Sequence, residues 1–427
     1  MRVMKWSIIA LAVAAGTSQL AMASSQDESK GFVEDSALNV KLRNLYFSRD
    51  YRNGSSEGID KPGQSRREEW GQGFIGTFES GFTQGTVGFG VDAIGLLGLK
   101  LDSGKGRAGT GLFPTGSDGR SQDDYSEGGG AVKLRISDTV LKVGDQFTAL
   151  PVLATDDSRL LPEVAEGALI TSNEIKGLTL HAGHFTGINA QDQTDRDSLH
   201  LKQADVLGGT YAITDTLSTS LYYSKVEDYW RKYYANVNWS LPISDAQGLV
   251  FDFNIYDTKG EGANTVKAYD GQKLDNRAFS LSAAYNIGAH TFTLAHQRVT
   301  GDGDYAYGVD GGGTIFLANS VQRSDFNAED EKSWQARYDL NMATYGVPGL
   351  SFMTRYIRGT DANVEGTNNG KEWERNIEAK YVLQEGPAKD LSFRVRQATY
   401  RSADGVYYGS PSIDEVRVIV EYPLSIL

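Results

Sequence analysis

Several short stretches of this chain carry a basic residue at every second position, with apolar residues between. Residues 391–401 read LSFRVRQATYR, so Arg394 and Arg396 alternate with Phe393 and Val395. Lys41 and Arg43, Lys133 and Arg135, Lys142, Arg337, Arg355, Lys380 and Arg417 stand in the same kind of alternation. A period of two belongs to β-strands, whose successive side chains point to opposite faces. The cations therefore share one face. Guanidinium and ammonium groups donate hydrogen bonds to carboxylates and phosphates, so the chemistry on offer is anion recognition. Such a face stays wet or paired, because Arg and Lys are almost never fully buried alone. The plainer reading is that some of these arginines pair with Asp339, Glu378 or Glu421.

Bond-breaking chemistry finds little support. Cysteine is absent and there are five histidines. His181, His184, His290 and His296 fall at strand or turn positions and His200 in a loop, with no G-x-S-x-G elbow and no H-E-x-x-H helix. The paired acids (Glu68 and Glu69, Asp123 and Asp124, Asp195 and Asp197, Glu329 to Glu331) read as loop charges, with divalent-ion bridging at a rim as the alternative. No cofactor and no metal are expected. A formal net charge of −13 argues against nucleic acid as a partner.

The elements that position the basic face are strands throughout. Period-two patterning predicts eighteen, at about 36–47, 69–79, 85–100, 128–137, 139–147, 167–173, 178–186, 204–214, 217–229, 231–243, 248–259, 276–287, 290–300, 332–345, 350–358, 373–384, 391–401 and 414–427. The sixth is the weakest. Connections alternate between tight turns rich in Gly, Asp, Asn and Pro and mostly long, charged loops, with the link near Trp230 as the one short exception. Segregated loop lengths with an even strand number describe a transmembrane antiparallel barrel. The other face of the strands is apolar: Val87, Phe89 and Val91, or Leu249, Phe251, Phe253 and Ile255. Aromatics near strand ends, among them Tyr46, Trp239, Tyr256, Trp334, Tyr356 and Tyr422, suit interfacial girdles. A mean hydropathy of −0.39 fits, since only alternate residues would meet lipid. A β-sandwich with edge tyrosines is the competing fold.

The first residues differ. Arg2 and Lys5 precede an apolar stretch, Trp6–Ala15, and an A-x-A site at Ala21–Ala23. The pattern is that of a cleaved signal peptide over 1–23, with 24–427 as a single barrel domain; a buried N-terminal helix is the alternative. Export places the barrel in the Gram-negative outer membrane, beside lipid and lipopolysaccharide.

Cations from the last five strands and, through closure, from the first would form one basic strip. The loop at 147–167, FTALPVLATDDSRLLPEVAEG, has apolar shoulders around Asp156, Asp157 and Arg159. Such a loop is expected to fold into the barrel and set acids against the strip; packing outside on neighbouring loops is the alternative.

GFVEDSALNVKLRNLYFSRD, FESGFTQGTVGFGVDAIGLLGLKLD, TIFLANSVQRSDFNAEDEKSWQARYDLNMATYGVPGL and the closing EAKYVLQEGPAKDLSFRVRQ … EYPLSIL strongly resemble the OprD family of substrate-specific outer-membrane porins. The likeness covers nearly the whole mature chain. It implies an eighteen-stranded barrel, an eyelet of inward-folded loops in blocks 147–167 and 313–332, and a basic ladder that would include Arg43, Lys380, Arg394, Arg396 and Arg417. It also implies passive uptake of small carboxylate-bearing solutes such as amino acids, short peptides or aromatic acids, by a monomer or weak trimer. In one block Arg323 stands where the family pattern has tyrosine, two residues from Asp325, which bears on any preference for basic solutes. A general-diffusion porin, without an infolded loop, and an outer-membrane barrel enzyme are the rival functions.

Overall fold

The computed structural model describes residues 26–52, 65–262, 273–364, 367–402 and 412–427; the expected signal peptide lies outside them. Alternating sequence becomes long strands. The first five are β1 (Ala37–Tyr51), β2 (Arg66–Glu79), β3 (Val87–Ser103), β4 (Asp124–Ile136) and β5 (Thr139–Gln146). A small hairpin, β6 (Ala149–Leu150) and β7 (Leu153–Ala154), interrupts them. Then come β8 (Val164–Ile175), β9 (Leu178–Asn189), β10 (Ala204–Ala212), β11 (Leu217–Val226), β12 (Trp230–Ser244) and β13 (Gln247–Gly260). The last seven are β14 (Asp275–Ile287), β15 (His290–Asp302), β16 (Lys332–Asn341), β17 (Leu350–Val364), β18 (Thr367–Val382), β19 (Ser392–Ser402) and β20 (Ser412–Ser425).

Apart from the hairpin, these form one 18-stranded antiparallel sheet. Neighbours in the chain are neighbours in the sheet, and β20 closes on β1 with Arg43 opposite Glu421 and Phe47 opposite Arg417. Closure excludes the sandwich and removes both sheet edges. All eighteen expected strands are present. Several extend further toward the long loops than hydropathy alone suggests: β1 runs to Tyr51 and β17 to Val364. Ladder hydrogen bonds continue there after apolar alternation has stopped. The weak sixth strand is β8, whose register shifts twice, between Glu166 and Gly167 and between Ser172 and Ile175, which blurs its period. The strand expected over 332–345 stops at Asn341, which caps a short 3₁₀ turn, Met342–Tyr345.

The outer face is apolar and exposed: Leu207 is 62% accessible, Leu221 and Leu294 64%, Trp334 62%. Backbone groups are satisfied between strands, so this face can meet lipid. No helix among the described residues is long and apolar enough to cross a membrane; strands do the crossing. The hydrophobic core lies inside the barrel, where infolded loops pack on inward side chains. One cluster joins Val152, Leu153, Phe185, Trp230, Tyr256 and Tyr305; another joins Leu45, Phe47, Phe113, Leu160 and Leu161. Tyr256 is therefore not an interfacial aromatic. It points inward, fully buried, with its hydroxyl 3.0 Å from the Pro151 carbonyl.

Candidate functional site

Seven adjacent strands, β16 to β20 with β1 and β2, make one wall of the lumen. Their inward positions carry the cations. Arg337 stands directly opposite Arg355, Lys380 opposite Arg394, and Arg396 opposite Arg417. Like charges facing each other across strands destabilise a sheet. Carboxylates offset part of that. Arg337 bonds Asp339 at 2.7 Å, Arg394 and Arg396 share Glu378 at 2.8 and 3.0 Å, Arg417 meets Glu415 at 2.7 Å, and Arg43 meets Glu421 at 2.7 Å. So the plainer sequence reading names the right partners, yet the offset is incomplete. One carboxylate serves two arginines, and among the described residues Lys380 and Arg355 make no ion pair; Arg355 donates to the Asn376 amide oxygen at 2.6 Å.

The segment between β5 and β8 lies against this wall. Asp157 takes two hydrogen bonds from Arg43, at 2.7 and 3.0 Å, and one from Lys41 at 2.8 Å. Burial alone would push this carboxyl up, but the two cations hold it down at about 2. Arg159 extends over the Phe47 ring, 5.5 Å from its centroid, and donates to the Thr110 carbonyl at 3.1 Å. The loop approaches β2 so closely that a Cβ on Gly73 would sit 2.8 Å from the Leu160 carbonyl oxygen. A glycine is needed there for space.

The loop between β15 and β16 is held by buried polar groups. Lys232 and Asp310, both fully buried, pair at 2.5 Å, and Trp230 donates to the same carboxylate at 3.2 Å. Glu163 ties the two loops together, accepting from the backbone N–H groups of Asp156 at 2.7 Å and Gly312 at 2.9 Å. Its burial pushes the carboxyl up to about 8. Further along, Glu374 accepts the N–H groups of Arg323 at 3.1 Å and Ser324 at 2.8 Å, and Glu372 accepts the Ser324 hydroxyl at 2.8 Å. Asp325 accepts from the Ser320 and Tyr307 hydroxyls, at 2.6 and 2.8 Å. The Arg323 guanidinium stacks over Tyr400, 5.8 Å from the ring.

The fifteen positions singled out in sequence thus fall into three groups. Lys41, Arg337, Lys380, Arg394 and Arg396 keep contact with lumenal water, whereas Arg43, Arg355 and Arg417 are covered. Asp156, Asp157, Arg159, Arg323 and Asp325 lie on the two infolded loops. Lys133 and Arg135 do not join the wall. They sit on β4, three strands beyond β1. Lys133 is nearly buried and, with Lys142, pairs with Asp92 at 2.7 and 2.6 Å, and Arg135 stacks on Phe82 at 4.2 Å and donates to Gln26 at 2.8 Å.

Sequence reasoning places the acids mainly in loops and, beyond Asp339, Glu378 and Glu421, leaves out the inward carboxylates of the strands, Glu372, Glu374 and Glu415. The signal was present: Glu372, Glu374, Asn376, Glu378 and Lys380 alternate along one stretch. Arg49, which pairs with Glu415 at 2.8 Å, extends the wall and was legible the same way. Lys232 and Glu163 had no such mark, because burial alone sets them apart.

A family model described as "outer membrane porin, OprD family" matches residues 30–426. Porin D of Pseudomonas aeruginosa is 52% identical over 462 aligned positions, covering 100% of both chains. Among solved structures, Acinetobacter baumannii OccAB1 superposes with a TM-score of 0.88 at 34% identity, covering 95% of this chain and 100% of that one. Pseudomonas aeruginosa OpdK, crystallised with vanillate, gives 0.82 at 33%, covering 92% and 100%.

Proposed function

The chain belongs to the OprD family of outer-membrane porins, and from that premise we propose that it passes small carboxylate-bearing solutes (amino acids, short peptides and related acids) along the basic wall. The observation that carries this reading is the pairing of Lys380 with Arg394 directly across β18 and β19, where one shared glutamate leaves positive charge uncompensated. A solute carboxylate relieves that repulsion for as long as it stays. Arg396 lies two positions along the same face, so a carboxylate leaving one site meets the next. Each site is hydrated and partly paired with protein acids, so attraction suffices for entry without preventing release. Passage is passive and needs no cofactor.

The two infolded loops lie against the wall and restrict the path beside it, which favours selection over general diffusion. Vanillate, present with the related OpdK, is itself a carboxylate. Arg323, close to Asp325, weakens the acidic side of the constriction, so this chain discriminates less in favour of basic side chains than a channel with a neutral residue there.

Uptake by proteoliposomes, read with matched pairs of solutes that differ only in a carboxylate or its amide, tests the reading. Replacing Lys380 and Arg394 together with Gln should cut carboxylate uptake about tenfold, the scale of one charged hydrogen bond, and leave the amides unchanged. Equal losses for both members of each pair would overturn it.

A further inference from the structure

The cations discussed so far face the lumen. Another group faces outward. On β17, β18 and β19, near the long-loop rim, Trp373 stands directly between Arg358 and Arg401 in register, and Arg375 stands opposite Tyr356. Lys371 lies two residues from Trp373 on the same face. The Tyr356 and Trp373 rings are 5.7 Å apart, and the Arg401 guanidinium lies 5.9 Å from the Trp373 ring. Tyr356, Arg358, Lys371, Trp373 and Arg401 line a hollow of about 360 Å³ on the outer wall, and Arg375 stands beside it. Glu372 also borders it, but its carboxyl turns to the lumen and accepts the Ser324 hydroxyl at 2.8 Å.

The charge there is largely uncompensated. Arg401 pairs with Asp414 at 2.8 Å. Arg358, Lys371 and Arg375 are exposed and make no ion pair among the described residues; Asp361, which also feels the Lys371 charge, is held by Lys332 at 3.1 Å. The position is unusual too. Just below, toward the short-turn rim, the same strands present Phe352, Ile377, Tyr381, Phe393 and Val395 outward, all exposed. The cations begin where that apolar band ends, at the level of the interfacial aromatics. In bacterial barrels the long loops are extracellular. This boundary is therefore the headgroup level of the outer leaflet.

We infer that this hollow binds the phosphorylated headgroup of the outer-leaflet glycolipid. Arg358 and Lys371 in the hollow, with Arg375 beside it, make no ion pair among the described residues and flank an aromatic pair, which matches a phosphate-bearing sugar: the cations take the phosphates, and the Tyr356 and Trp373 rings take the sugar face. Arg forks suit phosphate oxygens, and the apolar band beneath accepts the acyl chains. The inference depends on the barrel's orientation and not on the lumenal path, so it stands or falls apart from the solute reading.

The test uses the full mature chain in detergent, probed with diphosphoryl lipid A and read by native mass spectrometry. The variant R358Q/K371Q/R375Q should fold, as judged by heat-modifiable gel mobility, and should retain lipid A roughly tenfold to a hundredfold less well than the parent. Conductance should not change. If the triple variant fails to fold, R358Q alone should give a smaller loss in the same direction. Retention equal to the parent would overturn the inference. So would equal binding of a zwitterionic phosphatidylethanolamine by the parent, or displacement of lipid A by inorganic phosphate at equal concentration. A change of oligomeric state in the variant without a change in lipid retention would assign the surface to a second copy of the chain instead.

Discussion

Arg396 and Arg417 face each other across β19 and β20, yet only one of them meets water: their side chains are 19% and 3% accessible. Arg417 is covered by the infolded loops. It donates to the Gln322 carbonyl at 3.1 Å and stacks on Phe47 at 4.4 Å. The two arginines share a chemistry and differ in task. Arg396→Gln should reduce carboxylate uptake with little change in open-channel conductance. Arg417→Gln should loosen both loops, raise conductance, and lower stability by about 2 kcal/mol through lost charged hydrogen bonds. Single-channel recording of the two variants separates these outcomes; identical effects on conductance would contradict the assignment.

The constriction should respond to pH from both sides. Asp157 has a depressed folded value of about 2, so its contribution is complete above the ordinary carboxylate value near 3.8 and is lost as pH falls from there toward 2. Glu163 has a raised value of about 8, so the folded state favours its neutral form. That contribution is complete below about 4.5 and erodes as pH rises toward 8. The loops are then held best near pH 4–5, and conductance should rise on either side of a minimum there. Glu163→Gln keeps an acceptor for the Asp156 and Gly312 N–H groups and should abolish the alkaline rise only. A flat profile in the parent between pH 5 and 8 would count against the Glu163 tether.

Lys232 and Asp310 form a buried pair that fixes the second loop to β12. Lys232→Met strands the carboxylate in a dry site and should cost about 3–5 kcal/mol. The double change Lys232→Met with Asp310→Leu should recover most of it. The temperature at which the folded gel band converts to the unfolded one reads both effects. A single variant as stable as the parent would show that the pair is not the anchor.

Phe393 is exposed on the outer face beside Arg394, which turns to the lumen. Phe393→Arg puts a charge on the lipid side and should cost about 2–4 kcal/mol near the midplane, reducing insertion before transport. Assembly into liposomes, scored by heat-modifiable mobility, reports it directly. Normal insertion would mean that Phe393 lies near an interface.

What the sequence determined by itself was the alternation, and through it the strands, their number and their two faces. Period two is a local property that backbone geometry imposes residue by residue, so Arg394 and Val395 declared opposite faces without any knowledge of neighbours. Loop lengths likewise told one rim from the other. Register and closure decided the rest. Only pairing across β18, β19 and β20 brings Lys380 to Arg394 and Arg396 to Arg417, and only the infolded loops sort wet cations from covered ones. Lys133 and Arg135 carry the same local signature as the wall yet stand elsewhere, because alternation fixes a face and says nothing of distance around the barrel. Glu163, Lys232 and Asp310 look like ordinary charges in the chain. Their roles come from burial, which depends on contacts between segments 78 and 149 residues apart.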